Sequence, residues 1–160
     1  MPIERIGIVA DTHGSLLPDV ADALAGARLD LILHAGDIGT EQVLEGLRPI
    51  APVVAVCGNG DESLQHRYPW DLKLHLDGRR VLLCHWWDNY GRIHPRYARI
   101  VEEWRPHALV YGHTHVARNE ARGPTLHLNP GYAGRPEPSR RRSLAVLDLR
   151  ELRAEIVPLG

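Results

Sequence analysis

Six short polar segments, each following an apolar run of strand type, carry side chains suited to binding divalent metal ions. They are Asp11-Thr12-His13, Gly36-Asp37, Gly58-Asn59-Gly60-Asp61, His85, Gly112-His113-Thr114-His115 and Asn129-Pro130-Gly131. Carboxylate, amide and imidazole groups are ligands that divalent first-row metals take in water-filled sites. In open α/β sheets, ligands collect beyond the carboxyl ends of the strands. The spacing therefore predicts that these segments meet at one rim of a sheet and form a site for two metal ions.

The spacing within the segments indicates how ligands share an ion. Asp11 and His13 are two residues apart, and in an extended segment residues with this spacing point to the same side. His113 and His115 repeat the spacing and are expected to face alike. Asp37 has two carboxylate oxygens with which it could bridge two ions. A glycine precedes three of the ligands, where the missing side chain lets the backbone turn sharply: Gly36, Gly58 and Gly112.

The intervening sequence predicts the elements that would position these segments. Apolar runs predict strands over 6–10, 31–35, 53–57, 81–84, 109–111, 125–128, 143–148 and 151–157. Helices are predicted over 18–25, 41–47 with Thr40 as the cap, and 95–104. Asp77-Gly78 predicts a hairpin turn between Leu72-x-Leu74-x-Leu76 and the strand at 81. The order predicts an α/β fold that begins β-α-β-α-β with parallel connections, with two packed sheets and helices outside.

Composition narrows the class of protein. With 160 residues the chain is expected to form one domain, spanning 1–160, with its own core. The net charge of −1 provides no broad basic surface for nucleic acid, which argues against a non-specific nuclease. No apolar stretch approaches membrane-spanning length, and the charged start lacks a signal-peptide core. The two cysteines, Cys57 and Cys84, have no zinc or redox spacing, so we expect reduced thiols and a cytoplasmic protein.

Taken in order, the segments read D-x-H, G-D, G-N-x-D, H and G-H-x-H, and the whole chain resembles the calcineurin-like metallophosphoesterases. More narrowly it is similar to their small bacterial and archaeal phosphodiesterase branch, which also contains the retromer-subunit scaffold. The resemblance implies a four-layer α-β-β-α sandwich of two mixed sheets flanked by helices. It assigns one ion to Asp11, His13, Asp37 and His115. It assigns the other ion to Asp37, Asn59, His85 and His113.

The same resemblance implies a reaction. A hydroxide bridging the two ions would attack phosphorus in line, and the ions would stabilise the attacking and leaving oxygens. The expected activity is a phosphodiesterase acting on a small or activated phosphodiester, with Asp37, Asn59, Asp61 and His85 as the catalytic set. Mn²⁺ is the first expectation for the metal, and Ni²⁺, Fe²⁺ and Zn²⁺ also suit the ligand types. The expected partner is a small phosphorylated substrate, with neither a membrane nor nucleic acid involved, and a homodimer is left open.

Gly60 departs from the family pattern. Many members have His after the motif Asn, where it donates a proton, and the small branch commonly has Cys; glycine can do neither. Since a general acid typically contributes ~10²–10⁴-fold, leaving groups that need protonation are expected to react slowly. Asp61 is retained, and we interpret it either as orienting a ligand or its loop or, equally, as an ordinary turn residue.

A second departure is the segment Trp86-Trp87-Asp88-Asn89-Tyr90, where the branch usually has Gly after its strand-end His. Exposed aromatic rings beside a phosphate site could stack on a nucleobase or aryl group. The favoured alternative is that the segment packs on the sheet edge or forms a dimer interface. Arg135 could contact a phosphate oxygen, and His34 could support the ligand loops. The competing function is a metal-binding interaction scaffold. The complete ligand set argues against a scaffold, whereas Gly60 argues for one.

Overall fold

The elements occur in the predicted order, and the computed structural model describes residues 2–160. The first half contains β1 (Arg5–Val9), α1 (Pro18–Gly26), β2 (Leu31–His34), α2 (Glu41–Leu47), β3 (Val53–Ala55), β4 (Asp71–Leu76) and β5 (Arg79–Cys84). The second half contains β6 (Asp88–Asn89), β7 (Arg92–Ile93), α3 (Pro95–Trp104), β8 (Ala108–Val110), β9 (Arg118–Arg122), β10 (Thr125–Asn129), β11 (Ser143–Asp148) and β12 (Arg153–Pro158). A short 3₁₀ turn covers Glu62–Leu64.

The two large sheets are both mixed. The first has the order β12-β11-β1-β2-β3, in which β1, β2 and β3 are parallel and β11 is antiparallel to both of its neighbours. The second has the order β4-β5-β8-β10-β9, in which β5, β8 and β10 are parallel and the edge strands are antiparallel. The predicted β-α-β-α-β start with parallel connections is therefore confirmed.

Apolar side chains from these elements build three layers of contact. The sheets face each other across a core that includes Ile8 and Leu33 from the first sheet and Leu83 and Val110 from the second. Helices α1 and α2 cover the outer face of the first sheet. Helix α3 covers the outer face of the second. Since buried side chains supply most of the favourable free energy of folding, these three interfaces define the fold. The four-layer α-β-β-α sandwich is confirmed.

The topology explains why the polar segments meet. They follow β1, β2, β3, β5, β8 and β10, which are the strands that pair in parallel. Parallel strands end at the same edge of a sheet, and the two sheets pack face to face, so all six segments are delivered to one rim. This rim holds the candidate site.

Three details differ from the prediction. Thr40 is the N-terminal cap residue of α2, but its side chain makes no capping hydrogen bond. Strand β9 was not predicted, since Arg118–Arg122 is polar apart from Ala121. It forms because it pairs with β10 as an edge strand that needs no apolar face. The β6–β7 hairpin was also not predicted. Over residues 2–160, the helices are all too short or too polar to cross a membrane.

Candidate metal centre

Four of the predicted ligands converge on one point. Side-chain atoms of Asp11, His13, Asp37 and His115 all lie within 4.8 Å of one another. This group is the set that the family resemblance assigned to the first ion. Asp11 is fully buried, Asp37 is nearly so, and His13 is exposed, so the group opens to solvent on one side.

Asp11 lies at the centre of three imidazoles. Its Oδ1 is 3.3 Å from Nε2 of His115 and 3.9 Å from Nε2 of both His13 and His85. Its Oδ2 accepts a hydrogen bond of 3.2 Å from the backbone N–H of His113. Oδ1 itself is buried and has no hydrogen-bond partner among residues 2–160. An unpartnered buried carboxylate oxygen is costly, which indicates that a cation belongs beside it.

Asp37 presents its two oxygens to opposite ends of the cluster. Oδ1 is 3.5 Å from Nε2 of His85 and accepts a 2.8 Å hydrogen bond from the backbone N–H of Gly60. Oδ2 is 3.9 Å from Nε2 of His13. Burial raises the pKa of this carboxyl, but His85 and the Gly60 N–H outweigh burial and hold the pKa well below its usual range. Asp37 is therefore ionised at neutral pH and faces both ends of the cluster.

His85 presents a buried ring nitrogen to two carboxylates. Its Nδ1 donates a 2.7 Å hydrogen bond to the carbonyl oxygen of Ala35, so in the neutral ring Nε2 carries the lone pair. Nε2 is buried without a hydrogen-bond partner and faces the carboxylates of Asp11 and Asp37. Burial lowers the pKa of His85, but these two carboxylates outweigh it and raise the pKa. Either a proton or a metal ion satisfies this arrangement, and the donor set fits a metal.

The remaining predicted ligands lie at the His85 end. Nδ1 of His113 is 3.2 Å from Oδ1 of Asn59, and the rings of His113 and His85 are 5.3 Å apart at their centroids. Asn89, on the β6–β7 hairpin, places Oδ1 at 3.3 Å from Nε2 of His113. The structure thus brings all seven predicted ligands together, and it adds Asn89, which the sequence analysis did not assign to the site.

The backbone that presents the ligands is not extended. Five of the seven ligands have positive φ, namely Asp11 (56°), His13 (48°), Asp37 (53°), His113 (77°) and His115 (63°). The explanation of the D-x-H and H-x-H spacings from extended geometry was therefore wrong. His113 and His115 also lie at opposite ends of the cluster rather than facing alike. Each left-handed non-glycine residue costs on the order of 1–3 kcal/mol, and such residues cluster at functional sites.

Two glycines are required by close approaches. A side chain at Gly36, where φ is +97°, would place Cβ 2.6 Å from Nδ1 of His85. A side chain at Gly58 would place Cβ 2.1 Å from Oδ1 of Asp37. The absence of Cβ at these positions therefore lets the ligand loops pack against each other's side chains.

Asp61 ties two ligand loops together. Its buried carboxylate accepts hydrogen bonds from the backbone N–H groups of Gly58 (2.8 Å), Ile38 (3.0 Å) and Gly39 (2.9 Å). These groups flank Asn59 and Asp37. Of the two interpretations of Asp61, the contacts favour the one in which it orients the ligand loops.

His34 supports the same loops from within the core. Its Nδ1 accepts a 3.1 Å hydrogen bond from the backbone N–H of Gly36, so its Nε2 is the donor to Oγ1 of Thr12 at 2.9 Å. Thr12 in turn donates to the carbonyl oxygen of Ile38 at 2.9 Å. The ring is fully buried, and burial lowers the pKa of His34 to about 3. The ring is therefore neutral in the folded protein.

This burial predicts a pH dependence of stability. The unfolded protein binds a proton at His34 below about pH 6.5, whereas the folded protein does not do so until about pH 3, so the free energy of unfolding falls on acidification. Between pH 7.5 and pH 5 the loss from this residue is about 2 kcal/mol. We expect His34→Gln, which can keep one donor and one acceptor, to remove that part of the pH dependence in urea unfolding of the metal-free protein. The exposed His66→Gln serves as the control, and an unchanged slope in His34→Gln would contradict the prediction.

The other segments singled out in the sequence separate into distinct roles. Asn129 donates to the carbonyl oxygen of Gly112 (3.1 Å) and to Oγ1 of Thr114 (3.2 Å), and so shapes the loop that carries His113 and His115. Trp87 is buried beneath α3, whereas Trp86 is exposed and stacks on His113.

Arg135 lies at the opposite end of the centre from Trp86. It borders a cleft shared with His13, His115 and Arg140, and its Nε donates to Oγ of Ser15 at 3.1 Å. It is therefore placed beside the ligands, as the sequence analysis considered. Cys57 and Cys84 are free buried thiols, as expected.

Comparisons with known proteins point to one family. The model of the calcineurin-like phosphoesterase superfamily domain matches residues 5–152. A probable metallophosphoesterase of Methanothermobacter thermautotrophicus is 32% identical, covering 97% of this chain and 92% of that protein. The phosphodiesterase YfcE of Escherichia coli is 27% identical, covering 90% of this chain and 87% of that protein.

Solved structures share the fold at lower identity. A structurally characterised archaeal phosphodiesterase superposes with a TM-score of 0.79 at 20% identity, covering 97% of this chain and 99% of that one. Vacuolar protein sorting 29 (Vps29) of Cryptosporidium parvum superposes with a TM-score of 0.75 at 19% identity, covering 99% and 97%. At these identities the likeness concerns the fold.

Proposed function

The chain belongs to the calcineurin-like phosphoesterase superfamily, and on that premise we propose that it is a dinuclear-metal phosphodiesterase acting on small or activated phosphodiesters. The observation that carries the proposal is the pair of buried, unpartnered atoms Asp11 Oδ1 and His85 Nε2, 3.9 Å apart. A metal ion bound here would be a partner for both atoms, and the surrounding carboxylate, amide and imidazole donors suit such an ion. Homologues described as phosphodiesterases support a hydrolase.

Each end of the cluster would hold one ion. The first ion would be held by Asp11, His13 and His115, and the second by Asn59, His85 and His113. Asp37 would contact both ions, since its two oxygens face the two ends. When bound, the ions would supply Lewis acidity and a water activated as nucleophile. Mn²⁺ is the metal we propose first, because the set is made of oxygen and imidazole donors without thiolate.

The protein's own residues would orient the reactants. Asp61 and His34 fix the loops of Asp37 and Asn59, so the ligands are placed before substrate arrives. Gly60 lies at the exposed edge beside Asp37 and has no side chain to protonate a leaving group. The site therefore suits esters whose leaving oxygen departs as a stable anion.

The test compares a phosphodiester and a phosphomonoester of p-nitrophenol. We expect metal-loaded protein to hydrolyse bis(p-nitrophenyl) phosphate faster than p-nitrophenyl phosphate, with release of p-nitrophenolate followed by absorbance. The protein is loaded separately with Mn²⁺, Ni²⁺, Fe²⁺ and Zn²⁺, and bound metal is counted in each sample. Faster turnover of the monoester under every metal would contradict the diesterase assignment.

A second candidate function is a metal-binding interaction scaffold. It is favoured by Gly60, which removes the proton donor, and by the fold shared with Vps29 proteins, one of which was solved in complex with Zn²⁺. The two functions are separated by the same assay. Protein with two bound ions that turns over neither ester with any of the four metals would support the scaffold.

A further inference from the structure

A cavity of about 570 Å³ opens directly from the His85 end of the metal centre. Asn59 and His85 form its inner wall. Its outer walls are mainly aromatic, and they include two of the large exposed apolar side chains of the protein, Trp70 (49% exposed) and Trp86 (41% exposed). Exposed tryptophan costs free energy in water, so two around one cavity beside a candidate active site indicate a binding surface.

The geometry of Trp86 suits a planar ligand. Its ring is stacked on the ring of His113, with centroids 5.0 Å apart and an interplanar angle of 27°. His94 lies at 5.8 Å from the Trp86 ring in an edge orientation and also lines the cavity. Trp86 is thus held in position by its neighbours while part of its surface stays open, which is the arrangement of a stacking platform.

The charges of the cavity favour a neutral occupant. Arg96 is paired with Asp71 through two hydrogen bonds of 2.9 and 3.3 Å, so its charge is balanced. A phosphate would gain little here. By contrast, the cleft at the other end of the centre, beside His13, contains Arg135 and Arg140.

We propose that this cavity binds the planar aromatic group of the substrate, so that the enzyme acts on phosphodiesters that carry a nucleobase or a comparable aryl group. The proposal rests on the proposed function for the position of the phosphate at the metal centre. The base would stack on Trp86, with Trp70 forming a second wall. The Asp71–Arg96 pair also lines the cavity, and its carboxylate and guanidinium offer a hydrogen-bond acceptor and donors to the polar edge of a base.

The test measures binding rather than turnover. Adenosine 5′-monophosphate and ribose 5-phosphate have the same phosphate and sugar, and they differ in the base. Stacking is worth ~1–3 kcal/mol per base, which is roughly 5- to 150-fold in Kd. We expect the Mn²⁺-loaded protein to bind the nucleotide at least about tenfold more tightly in calorimetry, with quenching of tryptophan fluorescence by the nucleotide.

Four variants locate the effect. Trp70→Ala and Trp86→Ala are each expected to bring the two Kd values to within about threefold, without weakening ribose 5-phosphate, since stacking carries the preference. Trp86→Tyr keeps a ring and should retain most of the preference. Trp70 is the safer of the two alanine variants, because Trp86 stacks on a predicted ligand. Tyr90→Ala removes an aromatic side chain that is more exposed (73%) and lies outside the cavity wall, and it should leave both Kd values unchanged.

The outcomes separate this proposal from the proposed function. Equal binding of the two ligands by a protein that hydrolyses diesters would overturn the cavity assignment and leave the function standing. If the protein hydrolyses no ester but still prefers the nucleotide through Trp70, the cavity assignment stands and the proposed function falls. Tighter binding of octyl phosphate than of the nucleotide would reassign the cavity to alkyl chains. If the wild type shows no nucleotide preference and forms a dimer that dissociates in Trp70→Ala, the cavity is part of a dimer interface.

Discussion

Asp37→Ala is expected to lower the metal content at both ends of the cluster and to abolish hydrolysis of bis(p-nitrophenyl) phosphate. The reason is that Asp37 presents one oxygen to His85 and the other to His13. Metal ions supply several kcal/mol of transition-state stabilisation, so loss of both should cost on the order of 10³-fold or more in kcat/KM. Metal bound after equilibrium dialysis and initial rates of p-nitrophenolate release are the measurements.

His13→Ala is the matched comparison, because it removes one exposed ligand from one end. We expect it to weaken binding of one ion only, and to reduce activity less than Asp37→Ala does. Asp37→Asn, which keeps the shape and one carbonyl oxygen but removes the charge, should fall between the two. An Asp37→Ala protein that still holds one ion tightly with near-normal turnover would contradict the bridging assignment.

The convergence of the ligands could be predicted because it depends on topology. Asp11, Asp37 and Asn59 follow strands that an alternation of apolar runs and helices identifies as parallel, and parallel strands deliver their following residues to one rim. The family resemblance then assigns the ligands to two sets, and the structure places atoms of the first set within 4.8 Å of one another. These features need no knowledge of side-chain packing.

The features that could not be predicted depend on contacts between distant segments. Asn89 lies beside His113 on the β6–β7 hairpin, and each strand of this hairpin has only two residues, too few to show strand periodicity. Trp86 and Trp87 are neighbours of the same type, yet one is exposed and the other buried. The left-handed conformation of Asp11 and His13 is imposed by the surrounding loops, since neither residue type demands it.

The rate of hydrolysis is expected to fall steeply as the pKa of the leaving alcohol rises, because Gly60 offers no proton to the departing oxygen. Methyl aryl phosphodiesters, with leaving groups from p-nitrophenol to phenol, measure this slope with the other ester group held constant. Three side chains are candidates to replace the missing acid, namely His94, His127 and Tyr132. Buried His127 packs against Trp87, on the outer face of the second sheet. The hydroxyl of Tyr132 already donates a 2.9 Å hydrogen bond to the backbone carbonyl oxygen of Arg135.

That leaves His94, which lines the cavity with Asn59 and accepts a hydrogen bond at Nδ1 from the backbone N–H of Arg96, so that Nε2 holds the proton of the neutral ring. A wild type with rates nearly independent of the leaving group would contradict the role given to Gly60. The first variant to make would then be His94→Gln, which should restore a steep slope if His94 is the acid.

Gly60→His is expected to flatten the slope by accelerating poor leaving groups, up to the ~10²–10⁴-fold of a well-placed general acid, while p-nitrophenolate release changes little. The backbone permits the substitution, since Gly60 does not have positive φ. The new Cβ would lie 3.2 Å from Oδ1 of Asp37, so a small shift of that carboxylate is required. Gly60→Ala separates the two effects, because it adds the same Cβ without a donor. Equal slopes in the His and Ala variants, with two ions bound in each, would show that position 60 does not reach the leaving oxygen.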